Sequence, residues 1–200
     1  VQADRKTEIL GAFTRLVSRF GVDKTTMQDI AKEVGISVGV IYKDFTNKED
    51  LITAYFNSKE QQFGALCQKL CEKELPPEQL LHYFIVGIFK NATKLAVEDR
   101  GFWQMCQDIE TIKLLHKNCK QPHEIGRRLL TMVETIINHG VAAGVFVISG
   151  DDAGTTAQLF LKAFESYWKE IFLGVDPKQT LQDIDLMYNF VIRAIQKNAL

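Results

Sequence analysis

Apolar residues recur at intervals of three and four along most of the chain, while strand-like alternation is rare and short. That spacing puts them on one face of a 3.6-residue helix, so the predicted fold is all-α. Ile9, Phe13, Leu16, Val17 and Phe20 form the first stripe, and Gly21 follows as a C-terminal stop. Thr25, followed three residues later by Gln28, predicts a capping box. The helix it opens is expected to bury Ile30, Ala31 and Val34 and to end at Gly35. Ser37 then caps a second short helix carrying Val40, Ile41 and Phe45, and Thr46 or Asn47 caps a long one. The long helix runs from about Lys48 into the seventies and breaks at Pro76 and Pro77. About five further helical segments follow, punctuated by Gly101, Pro122, "SGDDAG" (149–154) and "GVDPKQ" (174–179). These connections are short, so the C-terminal part is predicted to be one helical bundle.

Two short helices joined by a tight Gly-containing turn make a helix-turn-helix pattern. A recognition helix must enter a major groove ~12 Å wide, so it is short and is held by a helix crossing behind it. Ile30, Val34, Ile36, Ile41, Phe45 and Leu51 are the expected shared core, with Ala31 keeping the axes close. Ser37, Val38, Gly39, Tyr42, Lys43 and Asp44 are expected to face outward. The predicted organisation is a DNA-binding module at residues 1–47 and a helical domain at 48–200. The long helix beginning near Lys48 joins the two.

Phe13 through Gly21, "TTMQDIAKEVGIS", "GVIYKDF" and "NKEDLI" resemble, in order and spacing, the N-terminal signature of TetR/AcrR-family transcriptional regulators. The match covers roughly the first quarter of the chain without a gap in register. The resemblance implies a homodimer that binds a pseudo-palindromic double-stranded DNA operator and releases it when a small molecule enters the C-terminal bundle. Carried over by position, it makes Thr25 and Thr26 phosphate contacts at the entry to the scaffold helix, and Tyr42 and Lys48 further phosphate contacts. Lys48 also sits in the first turn of its helix, where the dipole disfavours a cation, which suits an anionic partner. Lys43 is the candidate for base-edge reading, since lysine can donate to guanine O6 or N7. Val38, Val40 and Asp44 depart from the family pattern; the valines suit thymine methyls, and Asp44 suits cytosine N4. Repression is expected over activation by family habit.

A net charge of -1 excludes a strongly basic, non-specific nucleic-acid binder and leaves room for a sequence reader with local charge. No apolar run reaches the ~18 residues that span a bilayer, and no leader-like segment opens the chain, so a cytoplasmic protein with no membrane partner is expected. Four cysteines make no disulfide framework, and Cys67 and Cys71, one helical turn apart, read as structural thiols.

Downstream of residue 60 the chain is dense in aromatics, most of them core at helical spacing. "FWQMCQDIE" and "AFESYW" insert polar groups among them, as a small-molecule site requires. Phe63, Tyr83, Phe84, Trp103, Met105, Phe164 and Trp168 are therefore the expected lining of an effector pocket. The resemblance puts dimerisation on two late helices, here 152–173 and 179–197. The apolar face of the last one, with Leu181, Ile184, Met187, Tyr188, Val191 and Ile195, is the expected interface. His116, Cys119 and His123 could supply three metal ligands, but Pro122 interrupts them and no carboxylate completes a hydrolytic site, so no metal or other cofactor is expected. A metal-dependent helical enzyme is the weaker rival reading; an effector-blind DNA-binding adaptor or architectural protein is the other. No Gly-rich phosphate loop or nucleophile elbow is present, and the expectation is a regulator rather than an enzyme.

Overall fold

A computed structural model describes residues 2–118, 124–148 and 152–197. Eleven α-helices lie among the described residues: α1 (Gln2–Phe20), α2 (Met27–Val34), α3 (Val38–Asp44), α4 (Lys48–Cys71), α5 (Pro77–Glu98), α6 (Arg100–Gln107), α7 (Ile109–Asn118), α8 (Glu124–Ala142), α9 (Ala153–Lys162), α10 (Glu165–Leu173) and α11 (Pro177–Val191). A single 3-10 turn, Ile192–Ala194, follows α11. Among the described residues, extended pairing is confined to an isolated antiparallel bridge between Phe146 and Gln196. The fold is all-α, with a helix-turn-helix near the N-terminus and helices throughout the remainder. Among the described residues seven helices rather than about five follow Pro76, with breaks at Asp99 and Asp108, whose carboxylates accept from the Phe102 and Thr111 amides, and at Phe164.

The chain forms two compact units, one of Val1–Gln61 with Leu95–Pro122, the other of Gln62–Lys94 with His123–Leu200. The first unit therefore runs along α4 beyond residue 47 and takes in α6 and α7. Its centre is a shared core of Ile9, Phe13, Val17, Ile30, Ile41, Leu51 and Met105, all fully buried. Burying a side chain of this size contributes about 1.5–3 kcal/mol, which is what holds helices as short as α2 and α3 in place. Val34 and Ile36 pack at its margin, half-buried. Phe20 is the exception in the first stripe: at the last residue of α1 it is 57% exposed.

Local chemistry sets the ends of α2. The cap is Thr26 rather than Thr25: Thr26 Oγ1 accepts from the Asp29 amide, and the Asp29 carboxylate accepts from the Thr26 amide and hydroxyl. Gly35 closes the helix at φ 78°, a conformation open to glycine at little cost, and its amide donates back to Ala31 and Lys32. Against expectation, Ser37 makes no side-chain capping bond at α3. At α4, Asn47 Oδ1 accepts from the Asp50 amide, and Thr46 donates to the Asp50 carboxylate.

Inside the first unit α6 packs along α1. The approach is close because Gly101 has no side chain; a Cβ there would lie 2.4 Å from the Thr14 carbonyl oxygen. In the second unit, the later part of α4 meets α5 and α8. Gly87 accommodates the Leu70 methyls, and the Arg128 guanidinium lies over Gly64. The helix expected over 152–173 breaks at Ala163 and Phe164, where Phe164 leaves helical geometry and its ring is buried.

Candidate functional site

The turn between α2 and α3 presents one outward surface. Thr26 stands exposed at the start of α2, Ser37 is exposed just before α3, and Gly39, Tyr42 and Lys43 are exposed on it, Tyr42 at 47%. Val38 and Val40 are half-buried, and Val38 leans on the core. This surface offers hydroxyls, a phenol, an ammonium group and a small backbone gap at Gly39, a donor-rich set suited to phosphate oxygens and base edges.

Three residues expected on this surface have other work. Thr25 is 1% exposed, and its hydroxyl donates to the Gly21 carbonyl at 2.8 Å, so it locks the α1–α2 turn instead of facing phosphate. Lys48 Nζ lies 2.9 Å from the Val22 carbonyl oxygen and 3.3 Å from that of Thr25. Its charge satisfies carbonyls of the α1–α2 turn, which explains a cation in the first turn of α4 without an anionic partner. Asp44 is not available to cytosine: its carboxylate is fully buried and accepts two hydrogen bonds from Arg5, at 2.6 Å and 2.9 Å. That pairing raises the Arg5 guanidinium further above its ordinary value. Sequence alone gave no pointer to Arg5, which lies 39 residues from its partner.

The seven residues expected to line one pocket are divided between the two units. Met105 is fully buried in the first unit's core, and Trp103, on the same helix, also belongs to that unit. Phe84 is buried in the second unit, Phe63 is half-buried and Tyr83 is exposed in a separate groove beside α11. Phe164 and Trp168 do share a cavity of about 370 Å³. Ile85, Ile88 and Phe89 of α5, Leu129 and Leu130 of α8 and Leu161 of α9 complete its apolar wall, and Gln158, Lys162 and Glu165 supply polar groups. Phe89 and Trp168 face each other with ring centroids 4.7 Å apart. The aliphatic wall was missed because its residues share the periodicity of ordinary core.

The expected dimer face is likewise turned inward. Ile184, Tyr188 and Ile195 are buried within their own unit, and Leu181, Met187 and Val191 are half-buried. The Tyr188 hydroxyl donates to the Glu78 carbonyl at 2.7 Å, tying α11 to α5. The exposed apolar residues of α11 are Leu186 and Phe190, at 69% and 74%. Leu159 and Leu173 are similarly exposed on α9 and α10.

The profile of the bacterial regulatory proteins, tetR family, matches residues 9–55, the stretch that holds α2, α3 and the start of α4. A Bacillus subtilis fatty acid metabolism regulator protein is 34% identical over 141 residues, 68% of each chain. The chain belongs to the TetR family. Over 98% of both chains it is also 26% identical to YhgD of Bacillus subtilis, an uncharacterized HTH-type transcriptional regulator. A crystal structure of the regulator FadR from Bacillus subtilis in complex with stearoyl-CoA shares the fold, with TM-score 0.69 and 17% identity, covering 95% of this chain and 99% of that one.

This TetR-family protein is thus a transcriptional regulator with a DNA-binding helix-turn-helix, and its relatives are regulators rather than enzymes. Among the described residues no helix is long and apolar enough to cross a membrane, and no group of three or more His, Cys, Asp or Glu side chains is placed to hold a metal. Cys119 and His123 lie outside the described residues; His116 Nδ1 is 2.8 Å from the Ile112 carbonyl oxygen. Burial pushes the Cys67 thiol up to about 11 and the Cys106 thiol up to about 12, which keeps both protonated and unreactive.

Proposed function

We propose that this protein is a dimeric cytoplasmic repressor that reads a pseudo-palindromic operator through α3 and leaves it when a hydrophobic small molecule fills the groove between α5, α8, α9 and α10. The observation that carries the reading is the exposed Tyr42–Lys43 face on a helix braced from behind, with Thr26 and Ser37 beside it. Lys43 donates to base edges, while Ser37 and Tyr42 take phosphate beside Thr26, whose hydroxyl turns to phosphate only by giving up its bond to Asp29; Gly39 permits close approach, and Val38 and Val40 meet thymine methyls at the margin. In functional terms residues 1–47 bind DNA, and residues 48–200 bind effector and partner.

The groove's size and mostly apolar lining fit a small-molecule site. Because the FadR relative in structure binds stearoyl-CoA, an acyl chain is the effector class we assign to the wall of Ile85, Ile88, Phe89 and Leu161. The dimer forms through Leu186 and Phe190 of α11 with Leu159 and Leu173, since water-exposed apolar groups of this size gain most from a symmetric partner. In the dimer the two recognition helices enter successive major grooves ~34 Å apart. Filling the groove changes that spacing through α4 and α5, each of which runs through both units.

A random-sequence selection with the wild-type protein, followed by fluorescence anisotropy on the enriched duplex with and without palmitoyl-CoA, tests this reading. The expected result is a palindromic consensus whose affinity falls when the acyl compound is added. By linkage, the duplex must weaken acyl binding by the same factor. A selection that enriches no sequence refutes DNA reading, and affinity indifferent to acyl compounds refutes the effector class.

A further inference from the structure

Asp44 is the last residue of the recognition helix α3 and follows directly on Lys43. An acid there is twice misplaced. It sits at the negative end of the helix dipole, and it puts a negative charge beside the residue that must approach a polyanion. The structure answers both problems with Arg5 of α1. Arg5 Nε and a terminal guanidinium nitrogen donate to the two carboxylate oxygens of Asp44 at 2.6 Å and 2.9 Å, a two-pronged geometry that fixes orientation as well as charge. The Asp44 side chain has no exposed surface in this arrangement, whereas Arg5 keeps 30% of its own. A second tie lies next to the first: Lys6 Nζ stands 5.7 Å from the centre of the Phe45 ring, at the residue that closes α3. Two consecutive residues of α1 thus grip the C-terminal end of the recognition helix.

Resting on the reading of α3 as the DNA-contacting helix, we infer that Arg5 is a positioning residue for operator recognition, which holds Asp44 neutralised and turned away from the DNA so that Lys43 can reach the bases. Arg5 does this without touching the nucleic acid. Losing Arg5 removes a two-pronged ion pair from a carboxylate that has no exposed surface, which favours turning the Asp44 side chain to solvent, where it repels phosphate and competes for the Lys43 ammonium group. The clamp therefore acts on affinity and on discrimination together.

The test is a double-variant cycle on the duplex selected by the wild-type protein: Arg5→Gln, Asp44→Asn and the combination, each titrated by anisotropy across a salt series well below its melting temperature. Arg5→Gln is expected to weaken binding roughly tenfold and to narrow the gap between the selected and a scrambled duplex. The double variant, with no charge left to neutralise, is expected to return to within about threefold of wild type. Arg5→Lys, which keeps the charge but not the two-pronged geometry, is expected to fall between them. If the double variant stays as weak as Arg5→Gln and the salt slope drops by about one, Arg5 contacts phosphate itself and the inference is wrong. Arg5→Gln that melts at lower temperature yet binds like wild type shows a merely structural pair and also overturns it. A wild-type selection that enriches nothing defeats the DNA reading and the clamp together; the other outcomes defeat the clamp alone.

Discussion

Lys59 Nζ lies 2.8 Å from Asp99 Oδ2, and the same oxygen accepts a hydrogen bond from the Tyr55 hydroxyl. The other carboxylate oxygen accepts from the Phe102 amide and caps α6. Lys59 also stands over the rings of Tyr55 and Phe102. One carboxylate thus joins the start of α6 to α4 within the first unit, with under a fifth of either ionic side chain exposed. Burial, reinforced by the hydrogen bond to Asp99, raises the Tyr55 phenol well above its ordinary value, so it remains a donor. Asp99→Ala is expected to cost about 3 kcal/mol in unfolding free energy, because a buried cation and a helix start both lose their partner. Tyr55→Phe should cost about 1 kcal/mol. Urea unfolding of both variants checks this, and losses below about 0.5 kcal/mol for Asp99→Ala would contradict it.

Close approach of α6 to α1 makes Gly101 intolerant of a side chain. Its added Cβ would meet backbone oxygen, which has no rotamer by which to yield. Gly101→Ala is expected to lose about 1–3 kcal/mol. Gly126 of α8, whose added Cβ meets nothing within 4 Å, is the control: Gly126→Ala should gain up to about 1 kcal/mol from helix propensity. Equal effects at the two positions would remove steric exclusion as the reason.

Asp29 carries a pH signature. The Thr26 hydroxyl, and then the Thr26 amide, hold its carboxyl below the usual carboxylate range. A depressed folded value means that the contribution is fully present above the unfolded value and is lost as pH falls through the folded one. The melting-temperature gap between wild type and Thr26→Val should therefore be constant from about pH 5 to 8 and shrink below about pH 4. A gap unchanged down to about pH 2 would show that the carboxylate plays no part in the cap.

The two faces of α11 should answer differently to substitution. Leu186→Glu and Phe190→Glu touch exposed positions and should convert a sedimenting dimer to monomer with little change in melting temperature. Ile184→Ala, at a fully buried position, should cost about 2–4 kcal/mol. Dimers that survive both glutamates would move the interface elsewhere.

These contrasts show what was legible in the sequence. The short helices, their glycine stop at Gly35 and most of their core follow from local patterns, since capping and periodicity act over three or four residues. The cap itself slipped by one because consecutive threonines offer two hydroxyls, and only the register of the first helical amide chooses Thr26. Partners distant along the chain were not legible. Nothing near Asp44 points to Arg5, and Lys48 finds its carbonyls more than twenty positions upstream. Trp103 and Met105 sit in an aromatic-rich stretch much like the one that holds Phe164 and Trp168, yet α6 folds onto α1. For α11, periodicity marks apolar faces without saying which one the chain's own helices cover, and the wider face went inside.

The groove gives a prediction of its own. A long-chain acyl-CoA at saturating concentration should raise the melting temperature, by the linkage of binding to folding. Trp168→Ala should abolish that rise, while Trp103→Ala, outside the groove, should leave it intact. A rise that Trp103 controls and Trp168 does not would place the ligand elsewhere.

In the proposed function, the exposed face of α3 reads DNA while Thr25 and Lys48 brace it. Anisotropy titration of the selected duplex and of a scrambled duplex, with wild type and Lys43→Ala, tests this most directly. Lys43→Ala is predicted to weaken binding to the selected duplex by about 1–3 kcal/mol and to narrow its advantage over the scrambled one. Unchanged affinity and unchanged discrimination would contradict the claim.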